Sequence, residues 1–222
     1  MKGIRLVGLA AVVGASLVVS STASAAGPLF LTSGKPTFAA NGKGLVIRAP
    51  GAADTVECEA YMWVGEISSK TLAGNTFIRF LGCSSQKGTE RCSVMSAGAQ
   101  LENLITTLTL HGVLGLILPK PATGSDVGLL LLPTSGHRWF TLLGSCITET
   151  AAEGSVAGLV EPVGVLSTTD KITFGLTSGK QNIKDIDLTN GPLVEPELIV
   201  ASVTATLESA DEYVFSANVE VM

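Results

Sequence analysis

The stretch Lys171-Ile172-Thr173-Phe174-Gly175-Leu176-Thr177 alternates at every step, with Ile172, Phe174 and Leu176 on one side and Thr173, Gly175 and Thr177 on the other. A two-residue period is that of a β-strand with one buried and one wet face. Near the end of the chain Tyr213, Phe215, Ala217, Val219 and Val221 oppose Glu212, Ser216, Asn218 and Glu220 in the same way. Further apolar, β-branched runs recur at 44–49, 55–63, 76–81, 105–118, 127–132, 139–146, 155–160, 183–188 and 198–207. Reversals are expected at Asn41-Gly42, Pro119-Lys120-Pro121, Thr134-Ser135-Gly136, Ser178-Gly179-Lys180 and Asn190-Gly191-Pro192. The pattern predicts an all-β fold: an antiparallel β-sandwich or β-barrel of about 10–12 strands. Residues 105–118 read as one long strand bent at a glycine, and 97–104, free of β-branched residues, as a possible helical turn. Leu129-Leu130-Leu131-Leu132 is apolar on both faces and predicts a covered strand.

The first 25 residues have the form of a secretory leader: Lys2 and Arg5, an uncharged run from Leu6 to Val19, then Ala23-Ser24-Ala25. The run is too short to span a bilayer, which needs about 20 apolar residues. The expectation is therefore a signal peptide over 1–25, a single all-β domain over 26–222, and a secreted or envelope-associated product without a membrane span. Of 14 Lys plus Arg, the leader takes Lys2 and Arg5, leaving 12 against 19 Asp plus Glu and a net charge of −7. Nucleic acid is excluded as a partner, because phosphate binding needs clustered cations. Two Trp, two Tyr and seven Phe are too few for the aromatic girdles of an outer-membrane barrel.

Four cysteines, Cys58, Cys83, Cys92 and Cys146, remain in the mature chain. An even number in an exported chain predicts two disulfides, and the close C-x-x-C pairs of a zinc site are lacking. The short turn-forming segment between them favours Cys83 with Cys92, leaving Cys58 to Cys146, though four cysteines allow three pairings.

Gly82-Cys83, Cys92-Ser93, Ala97-Gly98-Ala99, Ile105-Thr106-Thr107 and Leu110-His111-Gly112-Val113-Leu114-Gly115 carry a pattern of their own. Gly154-Ser155-Val156-Ala157-Gly158 through Pro162 and Gly179-Lys180-Gln181 extend it. Together they resemble a family of exported bacterial β-rich proteins of unknown function, over about residues 56 to 220. The resemblance implies export, paired cysteines and a β-rich fold, and brings no catalytic residue.

Candidates for chemistry are sparse. No G-x-S-x-G nucleophile elbow occurs. His111 and His137 are the only imidazoles, each read as a strand or turn residue without a catalytic partner. Asp185 and Asp187 form the best calcium candidate, although the following glycine, Gly191, comes one position late for an EF-hand loop. Alternation places Tyr61 and Trp63 on the outer face with Glu57 and Glu59, a possible binding patch. No cofactor is expected. These features predict a non-catalytic exported β domain, a structural or binding module of the envelope or extracellular space. The alternatives are a carrier of a small apolar ligand in a barrel cavity and a carboxylate-dependent hydrolase.

Overall fold

A computed structural model of the chain describes residues 27–48, 55–87, 89–121, 125–177, 180–188 and 191–222. The expected leader lies outside them, as do Ser178, Gly179 and Asn190 of two expected reversals. The described residues hold no helix and nineteen strands. In chain order these begin with β1 (Phe30–Thr32), β2 (Thr37–Arg48), β3 (Val56–Ile67), β4 (Leu72–Leu81), β5 (Ser84–Lys87) and β6 (Glu90–Ser96). Next come β7 (Leu104–Thr106), β8 (Leu110–Leu118), β9 (Val127–Pro133), β10 (Arg138–Gly144), β11 (Thr150–Gly154), β12 (Val156–Glu161) and β13 (Ser167–Phe174). The last are β14 (Leu176–Thr177), β15 (Lys180–Gln181), β16 (Asp185–Leu188), β17 (Leu193–Val194), β18 (Leu198–Val200) and β19 (Val203–Val221).

Eight of these close into an antiparallel barrel in chain order: β2, β3, β4, β8, β9, β12, β13, β19 and back to β2. The remaining strands branch off its turns. A second closed circuit is built from the far ends of β2 and β3, then β5, β6, β10, β11, β18, the start of β19, and β2 again. The two rings thus share the ribbon β19–β2–β3. Closure satisfies the hydrogen-bonding edges that an open sheet would expose.

Sharing a ribbon explains its burial pattern. Along β3 the register with β2 is unbroken, yet Val56 and Cys58 are buried on one parity while Tyr61 and Trp63 are buried on the other. The ribbon has one ring on each of its sides, so the covered face changes at Ala60. On β19 the same change is accompanied by a register shift against β2 between Glu208 and Tyr213. Leu207 then fills the second ring, and Tyr213 and Phe215 the first.

Both interiors are packed with side chains. In the first ring Trp63 meets Tyr213 edge-on with centroids 4.9 Å apart and Phe174 at 5.7 Å. In the second, the registers of β6, β10, β11 and β18 put Val94, Leu142, Ala152 and Leu198 on the buried face. Each large apolar side chain buried in this way contributes about 1.5–3 kcal/mol. One apolar cluster runs through both. Trp63, Phe174 and Tyr213 lie inside the first ring, and Arg79, Lys171 and Glu212 are exposed outside it. No helix among the described residues is long and apolar enough to cross a membrane.

All four cysteines are paired, but the pairing differs from the expected one: Cys58 bonds Cys83 and Cys92 bonds Cys146. Strand register is the reason. The β5–β6 hairpin sets Ser85, not Cys83, opposite Cys92. The β3–β5 ladder pairs Val56 with Ser85 and Glu57 with Ser84, so its next step sets Cys58 opposite Cys83. Likewise Leu142, Leu143 and Gly144 face Ser96, Met95 and Val94, and two steps further Cys146 faces Cys92.

Other expectations are corrected as well. Asn41-Gly42 does not reverse the chain but lies inside β2, where Gly42 makes room for the ring of Tyr61. The strand expected over 105–118 is two, β7 and β8; buried Thr107 lies between them, its Oγ1 accepting the Ile78 N–H at 3.0 Å. Of residues 97–104, those up to Asn103 form turns and bends, because Gly98 and Asn103 have positive φ (82° and 61°), and Leu104 opens β7. Ala201 and Ser202 (φ 54° and 62°) make a two-residue hairpin turn between β18 and β19, and β19 then runs unbroken through 208–211. The covered strand is found: Leu129 and Leu131 are buried in the first ring, and Leu130 in an outer layer with Ile117 and Ile186.

Candidate functional site

Of the expected patch, Glu57 and Glu59 are exposed on β3, while Tyr61 and Trp63 are 4% and 1% exposed and belong to the core. The four do share strand parity. Their separation arises because the first ring covers that face from Tyr61 onward and leaves it open before.

The two glutamates border adjoining polar grooves that share Ser84 and Arg91. One, of about 330 Å³, is lined by Glu59, Gly82, Arg91, Ser93, Asn103 and the disulfide-bonded Cys83 and Cys92. The other, of about 190 Å³, is lined by Thr55, Glu57, Ser85, Gln86 and Arg91. Arg91 Nε donates to Ser84 Oγ at 2.8 Å, which fixes the guanidinium between the two. The corner at Cys83 depends on backbone conformation: Gly82 has φ +65°, and the Asn103 carbonyl accepts the Cys83 N–H at 2.9 Å. A Cβ at position 82 would stand 2.8 Å from Glu59 Oε2, so glycine there also holds the carboxylate close. Both disulfides end at this floor, stitching β3 to the start of β5 and β6 to the end of β10. The result is a rigid mixed-charge surface whose donors and acceptors, Arg91, Asn103, Gln86 and the hydroxyls, suit a polar ligand.

A wider depression, about 580 Å³, lies on the outer face of the first ring. The register row Val214, Ala39, Val64 forms its floor, and Asn75 Nδ2, donating to Glu66 Oε1 at 2.6 Å, forms part of its rim. It is shallow and faces solvent.

The other acids stay apart from both. Asp185 and Asp187 flank fully buried Ile186 on β16, opposite Leu118 and Leu116 of β8, as alternating strand residues. No group of three or more potential metal ligands occurs among the described residues. Glu195 and Glu197 border a small polar groove with Lys184, and Thr204 Oγ1 donates to Glu197 at 3.1 Å. His137 is exposed on the turn after β9, while His111 is half-buried on the outer face of β8, where burial lowers its pKa from 6.5.

Asp170 is the residue that reading the sequence passed over. It is 3% exposed inside the first ring, and burial pushes its carboxyl up to about 7 from the ordinary 3.8. Carrying the alternation of Phe174 and Ile172 two residues back already places Asp170 on the apolar face.

Compared with known proteins, the chain matches no family model, no curated sequence and no solved structure.

Proposed function

We propose that this chain is an exported, non-catalytic β-barrel module that binds a polar component of the cell envelope or its surroundings. The observation that carries the reading is the pair of adjoining grooves that share Ser84 and Arg91, one of them floored by the disulfide-bonded Cys83 and Cys92, with Glu57, Glu59 and Arg91 at their borders. Two disulfides are compatible with an extracellular or secreted protein, since such bonds persist in oxidising compartments. The secretory form of residues 1–25 supports the same destination. Packed ring interiors, with Trp63 set against both Phe174 and Tyr213, weigh against an apolar ligand carried inside. With Tyr61 and Trp63 in the core, recognition at the grooves rests on hydrogen bonds and charge rather than on ring stacking. A polyhydroxylated polymer carrying amino or carboxylate groups meets those donors and acceptors.

The test is amide-resolved NMR titration of the folded, oxidised protein with soluble peptidoglycan fragments and, separately, with a neutral polysaccharide. Shifts confined to Glu57, Glu59, Arg91 and Ser93, weakened about tenfold in Arg91→Ala by loss of a charge-assisted hydrogen bond, are expected for one of them. Saturable binding that shifts only residues elsewhere, or no shift with either polymer, overturns the reading.

A further inference from the structure

Among the side chains the structure describes, Asp170 is the one Asp, Glu, Lys or Arg that is buried. It shares a face of β13 with Ile172 and Phe174, and neither carboxyl oxygen has a hydrogen-bond partner. Its register partner across the β13–β19 seam is Tyr213, 1% exposed. The Tyr213 ring is held edge-on by Trp63 at 4.9 Å and by Phe38 at 5.7 Å. Among the described side chains, the buried residues of β2, β3, β4, β8, β9, β12 and β19 add two titratable groups, the phenols of Tyr61 and Tyr213, and no cation. His111 of β8 lies on the outer face, and Lys171 and Glu212 form an exposed register pair on the outside of the seam. A carboxylate formed here would lack both water and counter-charge, which strongly favours the neutral acid.

The seam is also interrupted close by. Thr169 pairs with Val214 but Ser167 pairs with Val219, so β19 loops out between them. Ser167 bridges the gap locally: its Oγ accepts the Thr169 N–H at 2.9 Å and donates to the Thr169 carbonyl at 2.8 Å. Asp170–Tyr213 is therefore the second pair of the intact ladder.

We propose that Asp170 is a proton latch on the first barrel: as the neutral acid it lets the β13–β19 ladder close up to the break, and as the carboxylate it opens the first two pairs to reach water. The fold thereby senses pH without a ligand. The sign follows from the raised proton affinity of the folded state. The stabilising contribution is complete below about pH 4 and is lost as pH rises through about 7. Between about pH 5 and about pH 9 this amounts to a loss on the order of a hundredfold in the folding equilibrium constant.

Three measurements on the full oxidised protein test this: equilibrium unfolding against pH, amide exchange at Thr169, Asp170 and Lys171, and a ¹³C titration of the carboxyl. The wild type should lose stability as pH rises from about 4 to about 7 and level off above, and those amides should exchange faster above pH 7 after correction for intrinsic base catalysis. Asp170→Asn, neutral at every pH, should remove both effects. The same pH profile in Asp170→Asn as in the wild type overturns the proposal, as does seam exchange that is independent of pH. Should the variant not fold, the wild-type carboxyl decides: titration near neutrality supports the latch, and titration in the ordinary aspartate range sinks it.

Discussion

Cys58 and Cys83 stand opposite each other one step past the end of the β3–β5 ladder, with Cα atoms 4.0 Å apart, so this disulfide continues a strand pairing rather than joining distant loops. Cys92 and Cys146 do the same for β6 and β10. Tryptic digestion without reduction should therefore yield linked peptides containing Cys58 with Cys83 and Cys92 with Cys146. A peptide pair joining Cys83 to Cys92 would show that the register described here is wrong.

The bridges close spans of 25 and 54 residues. By loop-closure entropy they restrict the unfolded chain by about 3.5 and about 4.2 kcal/mol respectively. Replacing both cysteines of a pair by serine should lower the unfolding free energy by about 2–4 kcal/mol, with the Cys92–Cys146 pair costing more. Urea denaturation of the two double variants measures the difference.

Trp63 and Trp139 are each 1% exposed, so iodide should quench the fluorescence of neither in the folded protein. Trp63→Ala should cost about 3–5 kcal/mol, since it removes the ring that packs against both Tyr213 and Phe174. Strong quenching of native Trp63 would return it to the surface that strand alternation first suggested.

Gly154 sits at φ +107°, and a Cβ there would collide with the backbone carbonyl of Glu197 across the β11–β18 ladder. Its own carbonyl accepts the Trp139 Nε1–H at 2.8 Å. Gly154→Ala combines backbone strain with a clash that no side-chain rotation relieves, and should cost about 3 kcal/mol or more. Thermal unfolding of the variant beside Gly136→Ala is the comparison, since a Cβ at Gly136 (φ +67°) meets nothing within 4 Å.

His111 acts on stability in the opposite direction to Asp170. Burial lowers its pKa from 6.5, so the unfolded chain takes up the proton more readily. Its contribution is intact above about pH 6.5 and declines as pH falls. His111→Asn should flatten the acid side of the stability profile and leave the alkaline side unchanged. The ring proton signals of His111 should titrate below those of a free histidine.

Alternation along single strands made the fold class legible: the runs around Phe174, Phe215 and Leu130 each fall in strands of the expected kind. It failed at Tyr61 and Trp63 for a definite reason. Period two tells which residues share a side of a strand, not which side is covered, and on β3 the cover changes sides at Ala60. The disulfide partners were hidden likewise, because Cys58–Cys83 depends on the register between β3 and β5, a relation between strands. The turn at Ala201-Ser202 lacks the Asn-Gly or Gly residues that announce such a hairpin. Glu57 and Glu59 could be singled out as candidates, whereas Arg91 and Asn103 join them only in three dimensions. Asp170 was readable from its phase with Ile172 and Phe174.

Because β2, β3 and β19 serve as common walls, neither chamber of this protein can be excised as a working fragment. Cutting along the partition would leave each half with raw flanks and an uncovered lining. Loss of order on one side is thereby felt on the other, so the molecule should melt as a single unit despite having two interiors.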